Sequence, residues 1–193
     1  MRRAYGLLSL LLCTSACVLA PPLYWADEIS GKVVDADTRA PIEGAVVLAD
    51  WKLYRGGIGH GGHRDSLLVE ETVTDGGGEF HFGKWGPRVR PMYAVLDTAP
   101  WLVVFKAGYE HQFLPNEHDS NGFVRRSDWD GKTIALKPFE GTTDDRLSTL
   151  RIVLSVSERQ PQMLEQILLE KEQYYRSAPT FFDHVQELHS HRE

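Results

Sequence analysis

The stretch "ISGKVVDADTRAPIEGAVVLADW", Ile29 to Trp51, followed by "ETVTDGGGEFHF", Glu71 to Phe82, decides the fold. From Ile29, Gly31 and Val33 fall on one side while Ser30 and Lys32 fall on the other. That period of two predicts a half-buried strand. Asp35 to Pro41 supplies a turn, since Asp, Thr and Pro all favour reversals. Ala45 to Ala49 is apolar throughout, the pattern of a strand covered on both faces. Asp75 and the glycines Gly76, Gly77 and Gly78 then set up a tight reversal, because glycine adopts positive backbone dihedrals cheaply. On the strand that follows, Phe80 and Phe82 share the core face, and Glu79 and His81 point outward.

These residues resemble the carboxypeptidase regulatory-like domain, whose pattern runs G-x-V-x-D, P-x-x-G-A-x-V, T-D-x-x-G-x-F and a later G-Y. Here the matching positions are Gly31, Val33 and Asp35; Pro41, Gly44, Ala45 and Val47; Thr74, Asp75, Gly78 and Phe80; and Gly108 with Tyr109. The resemblance implies a mainly β protein, an antiparallel transthyretin-like Greek-key sandwich of about seven strands. It further implies a binding, folding or spacer module with no catalytic motif and no cofactor.

The chain has 193 residues, enough for one domain with a substantial core and some appended structure. Its net charge of −6 argues against a nucleic-acid partner, which wants a basic face. Arg125 and Arg126 form an isolated pair beside Asp128 and Asp130.

Arg2 and Arg3 precede an apolar run, Leu7 to Leu12, and then small residues and a cysteine. That is the order of an export signal, and the run is too short to span a bilayer. Thr14, Ser15 and Ala16 before Cys17 look like a bacterial lipobox, so residues 1–16 read as a lipoprotein-type signal peptide and Cys17 as the lipid-attachment residue. Residues 17–27 then form a tether, 28–140 the sandwich and 141–193 a helical extension. Val18 after the cysteine resembles outer-membrane sorting, on the periplasmic side; cleavage near Ala20 or Ala26 to a soluble periplasmic or secreted form is the alternative. Cys13 and Cys17 are the only cysteines, so the sandwich holds without disulfides.

Lys52 to Val69 reads as a long insert between strands. His60, His63 and Asp65 within it give the competing reading, a metal-binding protein or unrecognised hydrolase. A flexible glycine-rich loop with solvated histidines is favoured, and no metal site is assigned. Lys84 to Ala99 reads as a crossing between sheets, Trp101 to Phe105 as a core strand, and His111 to Asp130 as a surface loop whose Glu117, His118 and Asp119 are hydrated acids and imidazole. Gly131 to Pro138 supplies the last strand.

After Gly141 the period changes. Thr142 and Asp145 form a capping-box pair ahead of Leu147, Leu150 and Leu154. Pro161 opens a second helix with Leu164, Ile167, Leu168 and Tyr175 as its stripe, and Phe181, Phe182, Val185 and Leu188 mark a third after Pro179. These helices are expected to pack on the sandwich or each other, with Glu165, Glu170 and Glu172 keeping them off an anionic membrane. His184 and Glu187 match the His-x-x-Glu spacing of zinc peptidases but sit at the chain end, and Tyr175-Arg176-Ser177 lacks the glycine of a purine-ring hydrolase motif. The sequence thus reads as a non-catalytic cell-envelope binding or structural module, with an envelope protein or glycan as partner and a lipid anchor to the membrane.

Overall fold

The computed structural model describes residues 23–54, 64–90, 95–96, 100–117, 123–157 and 159–191. Within them the chain is mainly β with helices at its C-terminal end. The strands are β1 (Leu23–Ala26), β2 (Ile29–Asp35), β3 (Val46–Tyr54), β4 (Arg64–Val73), β5 (Glu79–Phe82), β6 (Trp85–Val89), β7 (Val95–Leu96), β8 (Trp101–Phe105), β9 (Gln112–Leu114), β10 (Val124–Arg125) and β11 (Lys132–Leu136). The helices are α1 (Thr143–Ser157), α2 (Pro161–Leu168), α3 (Lys171–Tyr174) and α4 (Pro179–Ser190), with a tight turn at Tyr175–Ser177 between the last two.

Two layers of strands face each other. One is the sheet β4-β3-β8-β9, with β7 pairing the end of β3. The other is made of two triplets, β10-β1-β6 and β11-β2-β5. The triplets continue one another, because Ala26 pairs Trp85 and Ile29 pairs Phe82 in the same register across the short break. The expectation of an antiparallel sandwich needs correction here: β1 runs parallel to β10, and β2 parallel to β11. Three further segments depart from the sequence reading. Leu23–Ala26, expected within a tether, is a paired strand. The crossing at Lys84 to Ala99 contains β6, an edge strand, where Pro87 costs no ladder bond. The surface loop at His111 to Asp130 contains β9 and β10.

The sheet containing β3 and β8 is buried on both faces. Val47, Ala49, Trp51, Leu102 and Val104 face the other strand layer, meeting Ile29, Val33, Phe80, Phe82, Ile134 and Leu136. Val46, Leu48, Val103 and Phe105 face the helices, meeting Leu147, Leu150, Met163, Leu164, Ile167, Phe182 and Val185. That explains the unbroken apolar run at Ala45 to Ala49, and it places the helices on the sandwich as expected. Phe80 and Phe82 lie inside with His81 exposed.

The helical layer starts and stops as its sequence dictates. Thr142 Oγ1 accepts from the Asp145 N–H at 3.2 Å, and Asp145 Oδ2 accepts from the Thr142 N–H at 3.1 Å, closing the capping box. Pro161 and Pro179 open α2 and α4. Glu71 of β4 takes the N-terminus of α2, accepting from the Gln162 N–H at 2.8 Å and the Met163 N–H at 3.1 Å. Helix dipole and carboxylate attract there, yet burial pushes the Glu71 carboxyl above the usual range.

One ion pair ties both layers together. Arg146 of α1 is fully buried, and Glu170, between α2 and α3, nearly so. Arg146 Nε donates to Glu170 Oε2 at 2.7 Å, and Nη2 donates to Oε1. Arg146 Nη1 donates to the Tyr109 carbonyl at 2.6 Å, and the Gly108 N–H donates to Glu170 Oε1 at 2.9 Å. The guanidinium also stacks 4.7 Å from the Phe139 ring centre. Glu170, counted in the sequence among surface acids, is therefore an internal partner of the β8–β9 turn.

The four motif segments of the resemblance act as turn chemistry. Asp35 Oδ1 accepts from the N–H groups of Asp37 at 3.0 Å and Thr38 at 2.8 Å, while Oδ2 accepts from the Tyr109 hydroxyl at 3.1 Å. Thr74 Oγ1 accepts from the Ala45 N–H at 2.8 Å and donates to the Ile42 carbonyl at 2.7 Å. Asp75 Oδ1 accepts from the Gly77 and Glu79 N–H groups, both at 2.9 Å. Gly78 has φ +74°, and a Cβ there would lie 2.4 Å from the Val33 carbonyl oxygen.

Removing one member of the buried pair leaves a charge without compensation. Arg146→Ala is expected to cost about 3–5 kcal/mol in urea unfolding, and Arg146→Met with Glu170→Met to recover most of it. For Asp35, the bonds from Thr38 hold the carboxyl below its usual range. Its stabilisation is then complete above that range and is lost as pH falls through the lowered pKa. The melting-temperature gap between wild type and Asp35→Ala should narrow as pH is lowered below about 4.

Candidate functional site

The helices cover only part of the outer face of the five-stranded sheet. Where α1 ends, β3, β8 and β9 leave a cleft of about 280 Å³. Its walls are Leu48, Val103, Phe113 and Val156, with Trp101 at one side and Asp50 and Lys52 as the polar members. The strand pattern makes it: Asp50 follows Val46 and Leu48 on the helix-facing side of β3, just past the point where helical side chains run out.

Asp50 is 8% exposed, and its Oδ2 lies 3.5 Å from Lys52 Nζ. Among the described residues Oδ1 has no hydrogen-bond partner. Burial pushes the Asp50 carboxyl above the usual range, with Ser66 and Lys52 opposing it. Lys52 Nζ sits 4.6 Å over the Trp101 ring, an ammonium–aromatic contact that fixes the polar end of the cleft. The arrangement can hold an apolar or aromatic group against Leu48, Val103 and Phe113 while a polar end meets the Asp50–Lys52 pair. Nothing in it resembles a nucleophile with its base.

Elsewhere, Ser30 Oγ lies 3.0 Å from His81 Nδ1, a directly opposed cross-strand pair of β2 and β5. The Ser30 N–H donates to Asp130 Oδ1 at 2.9 Å. Both side chains stand on the solvent face of the layer, and no carboxylate among the described residues orients the imidazole, so the pair lacks the third member that a triad uses.

The sequence-named positions fall as follows. Cys17, His60, His63, His118 and Asp119 lie outside the described residues. Of the insert expected at Lys52 to Val69, the described residues at its two ends are strand, with β3 running through Tyr54 and β4 starting at Arg64; residues 55–63 lie outside the described residues. Asp65 lies on β4 opposite Leu53. The Glu117 N–H donates to Asp128 Oδ2 at 2.7 Å, binding its loop to the β10–β11 connection. His184 and Glu187 are exposed on α4, and Glu187 Oε1 lies 3.9 Å from His191. Among the described residues no group of three His, Cys, Asp or Glu is placed to hold a metal, and no helix is long and apolar enough to cross a membrane. Trp101, read as a core residue, is half-buried and flanks the cleft, while Phe105 is core. The cleft itself was not legible, since its members come from β3, β8, β9 and α1; a charged pair, Asp50 and Lys52, breaking an apolar strand was the one signal for it.

No protein-family profile matches this chain, and no curated protein matches it. Among solved structures it is similar to the C-terminal domain of shaft pilin SpaA from Lactobacillus rhamnosus GG, at 14% identity and a TM-score of 0.31, covering 61% of this chain and 98% of that one. It is also similar to the pilus 2b backbone protein of group B streptococcus, at 15% identity and a TM-score of 0.31, covering 58% of this chain and 41% of that one. A 9R-lipoxygenase from Cyanothece gives 13% identity and a TM-score of 0.31, covering 82% of this chain but 29% of the lipoxygenase. Such scores are too low to carry a function from those proteins to this one.

Asp50 generates a pH test. A carboxyl with a raised folded pKa favours the protonated native state, so its contribution to stability falls as pH rises from the usual carboxylate range through the raised value. Asp50→Asn should therefore gain on wild type in melting temperature as pH rises across that window. A difference that stays flat with pH contradicts the assignment.

Proposed function

We propose that this chain is a non-catalytic binding or structural module of the cell envelope, built on a transthyretin-like sandwich of the carboxypeptidase regulatory-like kind and held to the membrane through a lipid on Cys17. The observation that carries the reading is the use made of the motif residues. Asp35, Thr74, Asp75, Gly78 and Tyr109 are all engaged in turns and in the bond between them, so the motif is architectural. A scaffold of that type displays its function on surfaces away from the motif. The cleft at Asp50, Lys52, Trp101 and Phe113 is such a surface, and its apolar walls with one polar pair suit a small amphipathic group on an envelope partner.

Two measurements test this. Labelled palmitate should enter the wild-type protein and not Cys17→Ser, with the protein in the membrane fraction; equal labelling of both rejects the anchor. For the cleft, the amphipathic dye N-phenylnaphthylamine should bind wild type and lose about tenfold in affinity on Val156→Trp, which fills the space. Unchanged binding by that variant rejects the cleft as the ligand site.

A further inference from the structure

The cleft at the end of α1 restricts the charge and the hydrogen bonding of whatever enters it. Its polar members, Asp50 and Lys52, carry opposite charges, and its walls Leu48, Val103, Phe113 and Val156 are apolar. A cation brought there meets Lys52 and an anion meets Asp50, so a neutral group is favoured. A purely apolar group strips water from both charges and returns no hydrogen bond. The pair is also loose: Asp50 Oδ2 and Lys52 Nζ lie 3.5 Å apart, beyond the span of about 2.7–3.2 Å of a direct N–H···O bond. Each therefore keeps capacity for a third partner. A hydroxyl set between them serves both from one oxygen, donating to the carboxylate and accepting from the ammonium.

Size and surroundings narrow the choice. The space, about 280 Å³, takes a ring rather than a methyl group. Serine and threonine carry a hydroxyl on too small an apolar body, asparagine and glutamine lack such a body, and the indole of tryptophan only donates. Tyrosine alone among side chains joins a hydroxyl to a large apolar ring, and it suits sites that are dry at one end and polar at the other. Phe113, 37% exposed, offers an aromatic surface to that ring. The Lys52 ammonium, held 4.6 Å over the Trp101 ring, is fixed at the polar end where the hydroxyl would arrive.

The apolar surface continues past the rim. Ile152, 48% exposed, stands one helical turn before Val156 on the same side of α1. A free phenol in the cleft leaves it bare, whereas a tyrosine carried on a polypeptide brings neighbouring residues over it. A buried aromatic anchor ringed by weaker apolar contacts is the usual build of a protein–protein hot spot. We infer that the cleft is the docking pocket for a tyrosine side chain of a protein partner, its hydroxyl seated between Asp50 and Lys52. This rests on the reading of the cleft as the ligand site and names its occupant.

The test titrates the full chain with N-acetyltyrosinamide and with N-acetylphenylalaninamide, followed by amide chemical shifts. The tyrosine compound should shift Val103, Phe113 and Val156 and bind about tenfold more tightly than its phenylalanine counterpart, the effect of one hydroxyl between charged partners. In Asp50→Leu, and separately in Lys52→Met, the two compounds should bind alike. That loss of discrimination is a readout which general loosening of the fold does not produce, and either variant serves if the other fails to fold. For the partner, a phage library of short random peptides panned on wild type, with Val156→Trp as counter-target, should return a shared tyrosine. Ile152→Asp should weaken those peptides and leave N-acetyltyrosinamide unchanged. Equal binding of the two compounds to wild type, shifts remote from the cleft, or selected peptides without a shared tyrosine overturn the inference. So does an Ile152→Asp variant that binds the peptides normally, which would make a free phenol the occupant. N-phenylnaphthylamine that binds wild type and is lost on Val156→Trp, with no preference for tyrosine, rejects this occupant while keeping the cleft as a ligand site.

Discussion

Val46 to Ala49 belongs to two cores at once, and the rest of the structure follows from that. Alternate residues of β3 and β8 point to the facing strand layer and to the helices, so neither layer can be lifted away without exposing half of the most apolar segment in the chain. A parallel sheet is the usual home of such strands; here an antiparallel sheet reaches the same condition because a C-terminal helical layer covers its second face. The helices are thus structural, and the Arg146–Glu170 pair fixes their position by bonding both helical layer and β8–β9 turn. A buried pair of this sort adds little net stability but penalises any arrangement that separates its members.

That three-layer order determines which surfaces remain for function. Among the described residues a cleft is left over β3, β8 and β9 where α1 stops short of the end of the sheet, and its polar pair, Asp50 and Lys52, sits on β3 where helical cover ends. The uncovered outer face of the other layer divides into two unlike halves. Around β2 and β5 it is polar, with Ser30, Lys32, Glu79 and His81; around β1 and β6 it is apolar, with Leu23, Trp25 and Val89. The change occurs at the short break between Ala26 and Ile29, although the strand register carries straight through.

How much was legible depended on whether the signal was local. The apolar run at Ala45 to Ala49 announced burial on both faces, the alternation at Phe80 and Phe82 their direction, and Thr142 with Asp145 the start of α1. Each needs only neighbours along the chain. Strands β1 and β10 were missed because a few residues carry too little periodicity, and their parallel pairing joins positions about a hundred residues apart. Pro87 argued against a strand, and only its place at an edge makes β6 permissible. Glu170 looked like a surface acid because its partner, Arg146, is set by the fold of the whole helical layer. The cleft was hidden for the same reason.

The most direct test of the account is whether sandwich and helices unfold as one body. Native-state hydrogen exchange in rising urea would follow amides of α1, such as Leu150 and Leu154, beside amides of β3 and β8, such as Val47 and Val104. A shared core predicts that both sets exchange through a single opening with the same free energy and urea dependence. Helical amides that exchange freely while β3 and β8 stay protected would contradict it, and would make the helices an appendage to the sheet.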